Sequence, residues 1–191
     1  MRARGKSAGV PAFREAAVTL AIFADPPHHV IFVERAAHLR DHPGQIGLPG
    51  GGVDPADGDD RARTALRELE EELGIPPERV RIVGRLPQID QRVNNFSVAP
   101  FVGIVRPHTR IAIDESETAA VFFVPLAAIV APGAVRDGIE VFGELEIPTD
   151  VFDYGDRHVW GLTGRILRTF VAAWNDGASG LRAAIEAGLE G

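Results

Sequence analysis

Three carboxylates stand together in the segment Arg67-Glu68-Leu69-Glu70-Glu71-Glu72-Leu73-Gly74-Ile75. In a helix each residue turns by about 100°, so Glu72 lies about 40° from Glu68 and Glu71 about 60° to its other side. Glu70 points about 200° away, toward water. Like charges three and four apart cost a helix roughly 0.2–0.5 kcal/mol per pair. No Lys follows at the spacing that would offset them, and carboxylates in a last turn oppose the helix dipole. A hard divalent cation rewards such an arrangement, because Mg²⁺ prefers oxygen ligands and keeps waters and substrate phosphates in its shell. Glu68, Glu71 and Glu72 are the candidate metal ligands, Glu68 and Glu72 the leading pair, and Mg²⁺ or Mn²⁺ the expected cofactor. Arg63 and Arg67 lie one turn apart and could hold these carboxylates by charged hydrogen bonds. Arg67 is read as an orienting group rather than a phosphate ligand. A Glu-rich helix taken alone is more often a solvated face, so its context matters.

Upstream stands Gln45-Ile46-Gly47-Leu48-Pro49-Gly50-Gly51-Gly52. Consecutive glycines permit positive φ and close backbone approach, so Gly50 and Gly51 are expected near the metal or a bound ligand. Arg35, Arg40 and His42 form a local basic cluster ahead of them. Glu115 and Glu117 lie in the polar stretch Asp114–Thr118. A positioned carboxylate can deprotonate water, and Glu117 is the candidate general base. His108, His158, Trp160 and Trp174 read as packed structural residues, the two tryptophans on a helical face.

The elements that position these residues follow from pattern. Ala16–Ala24 is β-branched and apolar and reads as a strand buried on both faces, with a second strand at Val30–Glu34. The Gly-, Pro- and Asp-rich stretch from Arg35 to Asp60 reads as a long functional loop. Ala62, Ala65, Leu66, Leu69 and Leu73 recur at helical spacing, which predicts a helix over Arg61–Leu73 stopped by Gly74. Strands are expected near Val80–Leu86, Ser97–Val105, Ala119–Val124 and Ile139–Ile147, and helices at Trp160–Trp174 and Leu181–Leu189. Strands with interspersed helices make an α/β or α+β layered domain.

The chain of 191 residues suits a single domain over 1–191, with 1–14 a loose N-terminal arm. With 45% hydrophobic and 25% charged residues it has an ordinary globular composition. The absence of cysteine excludes disulfides, thiolate catalysis and thiolate metal sites. A net charge of −7 argues against nucleic acid as a partner. No apolar stretch is long enough to span a membrane, and a cytoplasmic location is the expectation.

The glycine loop followed by Arg67, Glu68, Leu69, Glu71, Glu72, Gly74 and Ile75 resembles the Nudix family signature, G-x(5)-E-x(7)-R-E-U-x-E-E-x-G-U, where U is a bulky aliphatic residue. The second half matches throughout. In the first half, counting from Gly52, the expected Glu falls on Gly58; one extra residue brings Asp59 into place as the acid that supports loop and helix. Before the glycines, Arg35, Leu39, Arg40, His42, Gly44, Pro49, Gly50 and Gly51 look like the additional motif of the coenzyme A pyrophosphatase subfamily. Ala36 and Leu48 replace its Ser and Phe. Trp160-Gly161-Leu162-Thr163 resembles the Trp-Gly-x-Thr segment of the same subfamily. The resemblance implies a Nudix-type α/β/α sandwich with a mixed β-sheet. It implies metal-dependent hydrolysis of coenzyme A to 3′,5′-ADP and 4′-phosphopantetheine. Arg35, Arg40 and His42 are then expected to meet the substrate's phosphates. Two rival expectations are a Nudix pyrophosphatase for ADP-ribose or dinucleoside polyphosphates, and a catalytically silent Nudix-like ligand sensor. The presence of all three of Glu68, Glu71 and Glu72 argues against the sensor.

Overall fold

The first strand, β1, runs over Arg14–Phe23, so Arg14 opens the sheet instead of closing an arm. The computed structural model describes residues 13–38, 43–91 and 95–190. Strand β2 covers His29–Arg35. The stretch expected as loop carries two short strands, β3 (Ile46–Gly47) and β4 (Gly50–Gly52), and a 3-10 turn at Pro55–Asp57. Helix α1 spans Arg61–Leu73, as the apolar spacing predicts. The Asp60 carboxylate accepts from the Ala62 N–H at 2.9 Å and caps its start. Gly74, at φ +62°, closes it with a left-handed turn whose N–H reaches Glu70 O.

Strands β5 (Val80–Arg85), β6 (Ile89–Gln91), β7 (Phe96–Val105) and β8 (Thr118–Pro125) follow, then the one-turn helix α2 (Leu126–Ile129). The single strand expected at Ile139–Ile147 is instead a hairpin, β9 (Val135–Phe142) and β10 (Leu145–Tyr154), which turns at Gly143 with φ +61°. β11 (Arg157–Val159), α3 (Gly161–Asn175) and α4 (Leu181–Leu189) complete the chain.

The larger sheet is mixed, in the order β3-β2-β1-β7-β5, with β4 paired to β1, β6 to β7 and β8 to β2. β1 and β7 run parallel over ten residue pairs, Arg14 opposite Phe96 to Phe23 opposite Val105. The ladders of β2 with β8 and of β5 with β7 are antiparallel. Successive β1 side chains point to opposite faces. Leu20 and Ile22 pack with Ile166, Leu167 and Phe170 of α3 and Leu181 and Ile185 of α4. Ala21 and Phe23 pack with Leu69 and Leu73 of α1. Helices therefore cover both faces, which makes an α/β/α sandwich and explains why β1 reads as apolar throughout. The second sheet, β11-β10-β9, is antiparallel, and Phe152 and Val159 bring it into the α3-side core. Among the described residues no helix is long and apolar enough to cross a membrane.

A carboxylate and glycine cleft as the candidate active site

β1 and β2 are neighbours at Ile22 and Val30, but the sheet divides below that pair. Ala16, Ala17 and Val18 of β1 face Gly52, Gly51 and Gly50 of β4. Val33 and Glu34 of β2 face Gly47 and Ile46 of β3. The glycine segment thus fills the split between two diverging strands. Glycine is required there. A Cβ on Gly50, at φ +153°, would lie 2.4 Å from Ala17 O, and a Cβ on Gly51 would lie 2.5 Å from Glu68 Oε2. The backbone of β4 and the carboxylate face of α1 are therefore in direct contact.

Glu72 is 4% exposed, and its Oε2 accepts a hydrogen bond from Gly50 N–H at 3.1 Å. Burial pushes its carboxyl up to about 8; that hydrogen bond and the Arg35 charge pull down, while the charges of Glu68 and Glu117 push up. Glu68 is raised for the same leading reason, burial, against the Arg67 charge beside it. Glu71 is exposed. Arg67 organises the outer part of this face: its Nη1 lies 2.7 Å from Glu68 Oε1 and 2.6 Å from Glu71 Oε2, and its Nη2 donates to Gly52 O at 2.8 Å. Arg63, expected beside it in that role, is exposed on the helix.

The acid expected at Asp59 is a correction. Asp59 is exposed, and Asp57 is the buried carboxylate that receives Arg67, at 3.2 Å from Nε and 3.1 Å from Nη2, and Thr64 Oγ1 at 2.9 Å. Its turn is fixed by Asp54, which caps Ala56 N–H while Asp57 accepts from Asp54 N–H at 3.0 Å. The signal lay in the count: five residues separate Gly51, not Gly52, from Asp57, and nine instead of seven then lie between the acid and Arg67. The Arg67 hydrogen bond lowers the Asp57 carboxyl from 3.8 to about 2. A group with a depressed folded pKa contributes stability above its unfolded pKa and loses it as pH falls through the folded one. Asp57→Asn is therefore expected to cost about 2 kcal/mol at neutral pH. In urea unfolding the gap to wild type closes as pH falls from 3.8 toward about 2. A gap independent of pH over that range would remove the ion pair from the account.

These groups line a cleft of about 540 Å³, within the range of small-molecule sites. Arg35, Gly50, Gly51, Glu68, Glu71, Glu72 and Glu117 all border it. Glu117, exposed, approaches from the far end of the chain's polar stretch because its backbone carbonyl accepts from Ala36 N–H at 2.9 Å, next to Arg35. Arg40 and His42, expected in the basic cluster, lie outside the described residues. Trp160 corrects its expected place: it precedes α3 instead of riding on it, is half-buried, and lines the cleft with Leu162 and Thr163. Trp174 does pack with the core, its ring 6.0 Å from Phe170. His108 is exposed in a left-handed turn, its N–H donating to Asp25.

Hard oxygen donors in a cleft, one of them lifted to about 8 chiefly by its own burial, fit a divalent cation. Glu68 and Glu71 both turn to Arg67, and the described residues hold no group of three or more His, Cys, Asp or Glu at ligand spacing; Glu72 is held by Gly50 N–H instead.

Residues 13–144 match the family model described as the NUDIX domain. The chain is 38% identical over 166 residues to the protein named uncharacterized Nudix hydrolase NudL of Salmonella paratyphi B, across 81% of this chain and 80% of that one; the Salmonella newport protein matches to the same extent. The fold is similar to that of a NUDIX hydrolase from Alicyclobacillus acidocaldarius, with TM-score 0.52 at 17% identity, covering 89% of this chain and 96% of the other. It is also similar to that of a MutT/nudix family protein from Enterococcus faecalis, with TM-score 0.54 at 12% identity, covering 95% and 70%.

Proposed function

The chain belongs to the Nudix family, and on that premise we propose that it hydrolyses the diphosphate of coenzyme A to 3′,5′-ADP and 4′-phosphopantetheine. It is a Nudix pyrophosphohydrolase; the substrate and the residue roles are the proposal. One observation carries the substrate. Two segments resemble the coenzyme A pyrophosphatase subfamily; Arg35, Gly50 and Gly51 of the first and Trp160 to Thr163 of the second are far apart in sequence yet border one cleft with the carboxylates of α1. A motif shared by chance or by ancestry alone has no reason to converge on the reacting site.

Glu68 and Glu72, with Glu71, would hold a divalent cation, Mg²⁺ or Mn²⁺. Bound there, it supplies neutralisation of the diphosphate charge and a more acidic water. The Gly50 N–H fixes the Glu72 carboxylate by hydrogen bond, and Arg67 fixes Glu68 and Glu71. Arg67 is itself locked by Asp57, so it orients ligands and takes no part in bond making. Gly51, without a side chain, leaves room for the Glu68 carboxylate. Arg35 offers a guanidinium to phosphate oxygens, with Arg40 and His42 as its partners in that role. Glu117 is the base: its carboxylate accepts the proton of the attacking water as the P–O bond to the leaving phosphate breaks.

The test is chromatographic analysis of products from coenzyme A, ADP-ribose and diadenosine polyphosphates, with divalent cation present or chelated. The expected result is 3′,5′-ADP from coenzyme A, dependent on the cation. Intact coenzyme A beside a cleaved ADP-ribose or dinucleotide would overturn the substrate and leave the family standing.

A further inference from the structure

Trp160 is held in place from several sides without being placed in the core. On its N-terminal side Val159 is fully buried and paired with Phe152. On its C-terminal side Gly161 N–H donates to Thr149 Oγ1 at 2.9 Å. Three residues on, Gly164 lets α3 press against β10: a Cβ there would fall 2.0 Å from Asp150 O. The strand before it is clamped as well. Arg157 Nη1 donates to Glu34 Oε2 at 2.6 Å and its guanidinium lies 5.1 Å from the Phe122 ring centroid, which ties β11 to β2 beside Arg35. His158 bridges Asp153 through Nδ1 at 2.6 Å and Glu140 through Nε2 at 2.7 Å, joining all three strands of the smaller sheet.

The indole is thus carried on a rigid turn and remains half-buried, bordering the cleft. The cleft is lined by two kinds of side chain: charged ones, Arg35, Glu68, Glu72 and Glu117, and apolar ones, among them Trp160, Leu162, Ile166 and a second aromatic, Phe96. The charged side chains suit a phosphate–metal assembly. A fixed aromatic face beside it is what a nucleobase would stack on, since every base has a π-face and stacking needs no other partner.

We propose that Trp160 is a specificity-determining residue that stacks on the purine base of the substrate, and that the β11 clamp of Arg157 and His158 positions it. This rests on the nucleotide-diphosphate reading above, but not on coenzyme A in particular. The protein has two tryptophans, and Trp174 lies outside the cleft on α3 against Phe170, so Trp174→Phe leaves Trp160 as the sole indole reporter. In that protein, 3′,5′-ADP and 5′-ADP are expected to quench the fluorescence saturably, and 4′-phosphopantetheine is not. Trp160→Ala is expected to raise KM about tenfold with kcat little changed, the effect of one lost stacking contact, and Trp160→Phe to recover most of it. Quenching by 4′-phosphopantetheine alone, or no quenching by any of the three while coenzyme A is turned over, would overturn the proposal. Equal losses in KM and kcat, unrecovered by Phe, would overturn it too, since a structural role predicts them. If coenzyme A is not turned over and 5′-ADP still quenches, the coenzyme A reading fails and Trp160 keeps its assignment.

Discussion

Glu72→Gln is expected to lower kcat about 10³-fold, the several kcal/mol of charge stabilisation that a metal site contributes, and at the same time to make the protein more stable when divalent cations are chelated. The second effect follows from burial. The Glu72 carboxyl is lifted from 4.5 to about 8 in the folded chain. A folded state that holds its proton more tightly than the unfolded state loses stability as pH rises from the unfolded pKa to the folded one. The wild type is therefore penalised progressively between pH 4.5 and about 8, and the penalty is complete above that. A neutral Gln keeps the Gly50 hydrogen bond and carries no such penalty. The variant's advantage in chelator is expected to grow from nothing below pH 4.5 to a few kcal/mol above pH 8, the scale set by about 1.4 kcal/mol per pKa unit. Saturating Mg²⁺ should reverse the order, because only the wild type gains from binding. Urea unfolding across that pH range, with and without cation, reads both. Parallel stability curves for the two proteins would sink the claim that burial raises the Glu72 carboxyl.

The second large effect separates three adjacent glycines. Gly50→Ala is expected to cost 3 kcal/mol or more, roughly the sum of backbone strain and overpacking. Its Cβ would meet Ala17 O at 2.4 Å and Val18 Cα at 2.5 Å, both main-chain atoms of the central strand that cannot step aside, and its φ of +153° disfavours any L side chain. In Gly51→Ala the nearest atoms are those of the Glu68 carboxylate, at 2.5 Å. That group can swing away, so the fold survives while the ligand is displaced; activity should fall about 10²-fold, as an ångström of misplacement costs. Gly52→Ala has open space around it and should change stability by less than about 0.5 kcal/mol. Thermal unfolding and turnover of the three variants give a pattern in which only the first unfolds early and only the second is stable but slow. A stable Gly50→Ala protein would show that β4 is not seated against β1 as described.

Much of the site was legible because it is local. The limits of α1 at Arg61 and Leu73, its cap at Asp60 and its stop at Gly74 follow from spacing of apolar residues and from interactions within one or two turns. The shared face of Glu68 and Glu72 follows from the helix period. What escaped was non-local. The stretch from Arg35 to Asp60 looked like loop because Gly-rich segments have little strand propensity of their own. It forms β3 and β4 only because β1 and β2 diverge and leave two edges to pair. The run from Ile139 to Ile147 is apolar enough for one strand, and its turn at Gly143 is set by β10 returning to pack Phe152 into the core. Asp59 and Asp57 are two residues apart in an acidic stretch, and composition does not choose between them; the Asp54–Asp57 cap and the reach of Arg67 do.

By itself the sequence determined the helix that carries the carboxylates, the glycines that must approach them, the apolar central strand and the chemistry those residue types can support. Each of these depends on residue type and on periods of two or 3.6 residues. Tertiary structure alone decided that Glu72 is buried while Glu71 is exposed, that Asp57 anchors Arg67, that Glu117 and Arg35 meet at one cleft, and that Trp160 leaves the helix face to line it. Burial and convergence are properties of packed layers, set by which surfaces exclude water and by which distant segments share an edge. No local pattern along the chain encodes them.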